Sequence, residues 1–222
     1  LDWEYPRVSD GTYRQYEALM LELSQALHSR GKLLTAAVQP GVSPSGAVWD
    51  TSAHTDAVLQ AVDWINVMAY DGGEGADHST YDFAFRAARH WQEDRGVPAE
   101  KIVLGVPFYA RSGYVTYDAL LAALPDAWKG DSALYQGQRV WYNGVETVER
   151  KARYALTELG GVMAWEVSQD AAGPYSLLSA MGRVKRETLC AFQDVPAGSW
   201  YAADVADARA LGLMQGTGGG NF

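Results

Sequence analysis

The first six residues, LDWEYP, place two carboxylates one residue apart among aromatic side chains. On a β-strand, Asp2 and Glu4 project from one face, roughly 6–7 Å apart, while Trp3 points to the other face. Two carboxylates this close in a confined site cannot both ionise freely, so one is expected to keep its proton near neutral pH. Glu4 could then act as a general acid with Asp2 orienting it. Taken alone, the short D-x-E pattern favours two solvated carboxylates on an edge strand.

Three later apolar runs also end in side chains that could bind a ligand. These are Met68, Tyr70 and Asp71 in INVMAYD, Tyr109 and Arg111 in GVPFYAR, and Trp165 in GGVMAWEVSQD. Each has a simpler interpretation. Met68 alone fits a core position, since methionine often fills gaps in a core. Trp165 and Tyr109 could equally pack in a core, and Arg111 could form an ion pair at a rim.

The composition limits the kinds of partner. The chain has 222 residues, 48% hydrophobic, a net charge of -9 and a pI near 4.9. This acidic balance disfavours nucleic acid and anionic membranes and favours an uncharged substrate. Eight Trp and 13 Tyr could stack on sugar rings or simply fill the core. The single cysteine, Cys190, excludes an internal disulfide, and we expect neither a metal nor another cofactor.

Short apolar runs alternate with amphipathic segments along the chain. The runs are LDWEY (1–5), LLTAAVQ (33–39), DWINVMAY (63–70), KIVLGVPFY (101–109) and GGVMAWEV (160–167). Two intervening segments show helical spacing and end at Gly31 and Gly96. Near-continuous apolar strands separated by helices predict a parallel α/β sheet of five βα units. Residues 112–145 interrupt this rhythm and predict an inserted subdomain. The composition changes again after about residue 187, which indicates a second module.

In this setting LDWEYP resembles the end of the D-x-x-D-x-D-x-E signature on the fourth strand of family 18 glycoside hydrolases, the chitinases and their relatives. INVMAYD resembles the sixth-strand M-x-Y-D motif, GVPFYAR the seventh-strand segment, VWYNG the end of the insertion domain, and GGVMAWEVSQD the eighth strand. The matches fall in family order along residues 1–187. The resemblance implies a (β/α)8 TIM barrel of which strands 4–8 are present, with a small α+β insertion after strand 7. The active site of such a barrel lies at the C-terminal ends of its strands.

The resemblance also implies a role for each candidate residue. Glu4 would protonate the glycosidic oxygen and later activate water, while Asp2 would hold the N-acetyl group of the substrate. The acetamido oxygen of the substrate is the nucleophile in this family, so hydrolysis is retaining without a covalent enzyme intermediate. Tyr70 would donate a hydrogen bond to that oxygen. Met68, Asp71, Tyr109, Arg111 and Trp165 would bind substrate, with the indole as the floor of the site.

The tail, FQDVPAGSWYAADVADARALGLMQGTGGGNF, resembles the first part of a surface-layer homology (SLH) domain, which we place at 190–222. The resemblance rests on the F-x-D-V opening, the WY pair before a helix, and the glycine-rich end. Such domains tether bacterial exoproteins to cell-wall polysaccharide. The resemblance therefore implies a secreted protein at the bacterial cell surface, with cell-wall polysaccharide as a partner.

Together these features predict hydrolysis of β-1,4-linked N-acetylglucosamine polymers, with chitin favoured, by a wall-anchored enzyme. One alternative is a peptidoglycan-directed N-acetylglucosaminidase, because an SLH domain would put the enzyme next to wall glycan. A non-catalytic carbohydrate-binding protein is another alternative, which retention of Glu4 and Asp2 disfavours. A purely structural surface-layer protein is a third. We expect residues 1–222 alone to be inactive, because three barrel strands would be missing.

Overall fold

The computed structural model describes residues 1–189, 192–196, 199–210, 212–217 and 220–221. Cys190 and part of the segment that resembles an SLH domain, including Phe222, lie outside the described residues. Elements are numbered along the chain.

The centre of the fold is a parallel sheet of four strands in the spatial order β1 (Thr35–Val38), β2 (Trp64–Val67), β3 (Ile102–Pro107) and β8 (Gly161–Trp165). The register pairs Ala36 with Ile65, Val67 with Leu104, and Leu104 with Val162. These strands correspond to four of the five apolar runs. Buried residues alternate along β1 and β2, β3 is buried at every position but one, and β8 is half-buried up to the exposed Trp165. The prediction of a parallel α/β sheet is therefore confirmed.

Residues 1–5 were expected to form a strand, and this detail is wrong. Leu1 does lie beside β1 as in a parallel ladder, because its amino group donates to Thr35 O at 2.6 Å and its carbonyl accepts from Ala37 N at 3.0 Å. The ladder does not continue into residues 2–5, which have no strand assignment. Pro6 follows at once, and a proline cannot donate to a ladder.

Seven α-helices lie within the described residues: α1 (Thr12–His28), α2 (Asp56–Ala61), α3 (Tyr81–Arg89), α4 (Tyr117–Ala123), α5 (Val145–Glu158), α6 (Leu177–Leu189) and α7 (Ala202–Ala210). A π-helical turn, His90–Asp94, continues α3. The two glycines expected at helix ends, Gly31 and Gly96, have φ angles of 64° and 65°. This left-handed conformation suits glycine and stops a helix.

Two hydrophobic clusters hold the helices to the sheet. The first lies between the strands and the helices α1 and α3, with Tyr16, Met20, Phe83 and Trp91 as its largest members. The second joins the end of β3 to α5 and α6. Ile102 and Leu104 of β3 belong to the first cluster and Val106 to the second. Residues two apart on a strand share a face, so both clusters hold helices against the same face of the sheet.

Residues 112–145 contain both helix and strand, as the sequence predicts. The strand β4 (Tyr109–Ala110) pairs antiparallel with β5 (Val115–Thr116), which leads into α4. A hairpin follows, formed by β6 (Ser132–Tyr135) and β7 (Gln138–Trp141). Its two-residue turn, Gln136 and Gly137, has positive φ angles of 49° and 83°, as a type I′ turn requires.

The tail contains the predicted helix, α7, which packs beside α6. Arg186 of α6 lies 3.9 Å from Asp207 of α7, and the guanidinium of Arg209 lies 4.4 Å from the centre of the Phe192 ring. Phe192 is buried and Trp200 is highly exposed. None of the helices in the described part of the chain is both long and apolar enough to cross a bilayer.

Candidate active site

A cleft of about 400 Å³ lies at the C-terminal ends of the parallel strands. Gln39 follows β1, Met68 follows β2, and Trp165 ends β8, and all three border the cleft. Seven of the eight residues predicted from the sequence line it: Asp2, Glu4, Met68, Tyr70, Asp71, Tyr109 and Trp165. Residues far apart in the chain meet here because parallel strands present their C-terminal ends at one edge.

Asp2 and Glu4 face the cleft because the chain alternates at its start. Trp3 packs against the first hydrophobic cluster, with its ring 5.8 Å from that of Tyr16 in an edge-to-face contact. The neighbours of Trp3 on either side therefore point away from the core and into the cleft. The predicted alternation of side chains between the core and the cleft is therefore present at Asp2, Trp3 and Glu4, although these residues are not part of a strand.

Carboxylates surround two tyrosines of the cleft. Burial, followed by the charge of Glu4, raises the pKa of Tyr5 to about 12. Burial also raises the pKa of Tyr70 well above its usual value, and the charges of Asp2, Asp71 and Glu4 act in the same direction. Both phenols consequently keep their protons across the physiological range and remain hydrogen-bond donors.

Tyr70 is buried at the base of the cleft, where it forms a small cluster with Met68 and Tyr109. The rings of Tyr70 and Tyr109 meet edge-to-face at 6.4 Å. Gly105 of β3 makes room for this packing. A Cβ atom there would come within 2.8 Å of Tyr70 Cε1 and 2.6 Å of Val67 O. Met68 therefore has both features considered from the sequence, since it is buried and also borders the cleft.

Asp71 is held by donors from several elements. Tyr109 Oη donates to Oδ1 at 2.8 Å, and Arg111 donates from Nε to Oδ1 at 2.7 Å and from Nη2 to Oδ2 at 2.6 Å. Burial alone would raise the pKa of Asp71, but its contacts with His78, Arg111 and Tyr109 outweigh burial and hold that pKa far below its usual range. Asp71 is therefore a fixed carboxylate at the cleft wall.

His78 is a member of the site that the sequence did not indicate. It is buried, its Nδ1 accepts the backbone N–H of Asp71 at 3.2 Å, and its Nε2 lies 3.3 Å from Tyr109 O. The carbonyl of His78 also accepts from Gly72 N at 3.0 Å, which closes the loop after Asp71. The histidine lies in a loop with no recognisable spacing to its partners, so no sequence pattern could have identified it.

Arg111 stands outside the cleft lining. Besides Asp71 it lies 3.3 Å from Glu74, and its guanidinium is 5.8 Å from the centre of the Tyr109 ring. Arg111 thus forms ion pairs with Asp71 and Glu74 at the rim of the cleft, which is the alternative to substrate binding that the sequence left open. Tyr109, by contrast, is both packed and part of the lining, with Tyr114 stacked on it at 4.8 Å.

Two tryptophans expose their rings at the cleft. Trp165 is 45% exposed and Trp49 is 39% exposed, so neither is a core residue. Trp49 lies in the loop after β1, close to Asp50, whose carbonyl accepts from Gln39 Nε2 at 2.9 Å. Trp49, Gln39, Pro40 and Tyr5 complete the lining and were not predicted.

Within the described residues, no group of three or more His, Cys, Asp or Glu side chains could hold a metal ion.

Comparison with known proteins agrees with this arrangement. The sequence model of the family "Glycosyl hydrolases family 18" matches residues 1–170, which is most of the chain. The chain belongs to glycosyl hydrolase family 18. A second model, for the S-layer homology domain, matches residues 191–222.

Individual relatives are similar to this family 18 chain at modest identity. Chitinase C of Streptomyces lividans is 28% identical over 220 residues, which cover 78% of this chain and 35% of that protein. Chitotriosidase-1 of Mus musculus is 28% identical over 247 residues, covering 82% and 52% respectively. The chain thus spans about a third to a half of the length of these two relatives.

A solved structure extends the similarity to the fold. The family 18 chitinase ChiB of Flavobacterium johnsoniae superposes with a TM-score of 0.71 at 28% identity, covering 90% of this chain and 63% of that one. The parallel sheet described above is therefore part of a TIM-barrel-like α/β fold, and the cleft lies at the end of the strands where such folds place their active sites.

Proposed function

We propose that this family 18 chain belongs to an enzyme that hydrolyses β-1,4-linked N-acetylglucosamine polymers, with chitin as substrate. The observation that carries the proposal is the convergence of Asp2, Glu4 and Tyr70 on one cleft that also exposes the ring of Trp165. A proton donor, a group to hold an amide and an aromatic face are what hydrolysis of an N-acetylated glycan requires. The chitinase names of the relatives support the same substrate class.

In the proposed mechanism Glu4 begins as the general acid. It gives its proton to the glycosidic oxygen as the bond to the anomeric carbon breaks. The acetamido oxygen of the same sugar forms a new bond to that carbon and gives a bicyclic oxazolinium ion. Glu4, now a carboxylate, removes a proton from water, and the water oxygen attacks the anomeric carbon and reopens the ring. The configuration at that carbon is retained after two inversions.

Asp2 and Tyr70 hold the acetamido group in this scheme. The phenol donates a hydrogen bond to the acetamido oxygen as it approaches the anomeric carbon, and its raised pKa keeps the proton available. Asp2 accepts from the acetamido N–H and stabilises the positive charge that develops on the bicycle. Both groups act on atoms that change charge in the transition state, so they accelerate the reaction more than they strengthen binding.

The remaining residues would bind the sugar. Trp165 offers its exposed ring face to the pyranose, and Met68 and Tyr109 shape the wall beside it. Asp71 presents a carboxylate to a sugar hydroxyl. Arg111 acts through Asp71 and reaches a neighbouring sugar at the rim.

We further propose a division of the chain into residues 1–187, equivalent to strands 4–8 of the barrel with the insertion at 112–145, and residues 190–222, part of an SLH domain. The match of residues 191–222 to the S-layer homology domain supports secretion and attachment to cell-wall polysaccharide at a bacterial surface. The enzyme would then work next to the wall that anchors it.

The test is hydrolysis of chitooligosaccharides by the full-length protein and its Glu4→Gln variant. The amide keeps the shape of the side chain but has no proton to give, so turnover should fall by at least about 10²–10⁴-fold. Calorimetry should show nearly unchanged sugar binding. Turnover at the wild-type rate would remove Glu4 from the role. Glu100→Gln is the matched control, because this exposed glutamate precedes β3 and lies at the opposite end of the sheet.

The S-layer homology match favours a second candidate, a peptidoglycan-directed N-acetylglucosaminidase. Wall glycan also carries N-acetylglucosamine in β-1,4 linkage, so the same cleft and mechanism would serve. Release of soluble sugars from chitin and from purified peptidoglycan separates the two candidates. Faster release from peptidoglycan, at equal enzyme concentration, would favour the second.

A further inference from the structure

Lys151 of α5 is fully buried and has no part in the proposed chemistry. Its Nζ donates three hydrogen bonds, to Ser79 O at 2.8 Å, to Ser79 Oγ at 2.7 Å and to Asn143 Oδ1 at 2.8 Å. All three N–H groups of an ammonium are thereby used. Burial lowers the pKa of Lys151 to about 7, which reflects the cost of keeping a charge in the interior. A methionine would fill similar space without that cost.

The lysine determines which way the Ser79 hydroxyl points. Lys151 Nζ donates to Ser79 Oγ, so the hydroxyl oxygen accepts from the lysine and keeps its own hydrogen for another partner. That partner is Ala69 O, 3.0 Å away. Ala69 lies between Met68 and Tyr70, both of which line the cleft. The hydrogen bonds therefore run from the interior of the protein to the backbone that carries Tyr70.

Ser79 also fixes the loop that returns from Asp71. It directly follows His78, whose ring accepts the backbone N–H of Asp71. The carbonyl of Ser79 accepts from Lys151 and also from Asn143 Nδ2 at 2.7 Å. Asn143 itself follows the β6–β7 hairpin, so the network joins three separate segments of the chain. Movement of Ser79 would disturb both Tyr70 and Asp71.

We propose that Lys151 is a positioning residue, which acts through Ser79 to hold Tyr70 and Asp71 in the geometry that the transition state needs. Lys151 does not border the cleft, so it touches no substrate. The proposal rests on the role given to Tyr70 under the proposed function. It predicts an effect on turnover rather than on affinity, because small displacements of groups that act in the transition state lower kcat more than substrate binding.

The test compares Lys151→Met and Ser79→Ala with the wild type in the full-length protein. Ser24→Ala is the matched control, because Ser24 Oγ also donates to a backbone carbonyl, Ala61 O at 3.0 Å, far from the cleft. The measurements are kcat and KM on chitooligosaccharides, and affinity for a thiazoline analogue of the bicyclic intermediate and for the parent sugar. Urea unfolding followed by circular dichroism reports whether each variant is folded.

Lys151→Met should lower kcat by about 10-fold or more and weaken thiazoline binding by a similar factor, with KM and parent-sugar affinity within about twofold. Ser79→Ala should act in the same direction and Ser24→Ala should have no effect. A merely structural lysine would change stability but would leave the ratio of thiazoline to sugar affinity at its wild-type value. If Lys151→Met does not fold, Ser79→Ala decides the question.

Two outcomes would overturn the proposal: a folded Lys151→Met with wild-type kcat and thiazoline preference, or a Ser79→Ala variant that matches Ser24→Ala. In both cases the wild-type preference for the thiazoline would still stand, and so would the proposed function. A wild-type enzyme without that preference would instead contradict the proposed mechanism. The kcat values of Ser79→Ala and Ser24→Ala would then still decide the positioning role.

Discussion

Arg111 and Asp71 are joined by two parallel hydrogen bonds, of 2.7 Å from Nε to Oδ1 and 2.6 Å from Nη2 to Oδ2. A guanidinium can bind a carboxylate in this way because its N–H groups lie in one plane, whereas an ammonium is a single point of charge. Tyr109 adds a further hydrogen bond to Oδ1. Asp71 is thus held in one orientation, and a sugar hydroxyl that binds it has to use the remaining lone pairs.

We therefore expect Arg111→Lys to lower kcat/KM by about 10-fold, on the scale of one lost charge-assisted hydrogen bond. The lysine keeps the charge but cannot make both contacts, so Asp71 gains freedom to rotate. Steady-state kinetics on chitooligosaccharides measure the effect. Arg14→Lys is the control, since the side chain of Arg14 is exposed on α1 and, among the described residues, hydrogen-bonds only to Tyr13. Equal kinetics for the two variants would show that the paired geometry is unimportant.

Tyr70→Phe isolates the phenolic proton. The ring that packs beside Gly105 and Tyr109 is kept, so the protein should fold as before. Removing one donor from an oxyanion-type site lowers kcat by about 10²–10³-fold. We expect a loss of that order with KM little changed, measured on an N-acetylated tetrasaccharide. A variant that loses affinity while it keeps kcat would instead place Tyr70 among the ordinary binding residues.

His54 makes stability depend on pH. It is buried edge-on between Tyr16 and Trp91, and burial, followed by the charge of Arg95, lowers its pKa from 6.5 to about 4. At a pH between about 4 and 6.5, His54 is therefore protonated in the unfolded chain but neutral in the folded chain. Stability therefore rises with pH across this window and is lost as the pH falls from 6.5 to 4, by up to about 1.4 kcal/mol per pH unit.

His54→Phe should remove this dependence, because the ring stays between its aromatic neighbours but cannot be protonated. Urea unfolding at pH 4.5, 5.5 and 7.5 compares the two proteins. The free energy of unfolding of the wild type should fall more steeply with acid than that of the variant, and above pH 7 the two should run parallel. Parallel curves throughout would show that His54 is protonated equally in both states.

The sequence predicts those parts of the site that lie within the apolar runs or at their ends. Alternation over LDWEYP placed Asp2 and Glu4 on one side and Trp3 on the other, and the structure shows this. The ends of the later apolar runs supplied Tyr70 and Trp165, because strand ends converge in a parallel sheet. The alternation of side chains depends only on the extended backbone of neighbouring residues. It is therefore present in this segment although the hydrogen bonds to β1 end after Leu1.

Contacts between distant segments could not be predicted in this way. His78 and Lys151 sit on no strand end, and each acquires its partners only when the loop after Asp71 folds back against α5. Trp49 likewise reaches the cleft from a loop after β1 whose path follows no periodic pattern. Lysines are seldom fully buried, so a lysine in a charged helical segment is expected from the sequence to lie in solvent.

The proposed mechanism makes its sharpest prediction about the substrate. If the acetamido oxygen is the nucleophile, a substrate with a free amine at the cleaved linkage has nothing to attack the anomeric carbon and should not turn over. A thiazoline analogue of the bicycle should bind far more tightly than the parent sugar, because it resembles the high-energy species. Asp2 borders the cleft together with Tyr70 and would hold the acetamido N–H. Asp2→Ala should therefore weaken thiazoline binding more than binding of the plain sugar, as measured by calorimetry. Cleavage of the deacetylated substrate at the rate of the acetylated one, or a trapped ester between the sugar and Glu4, would exclude the mechanism, because either result requires a nucleophile from the enzyme.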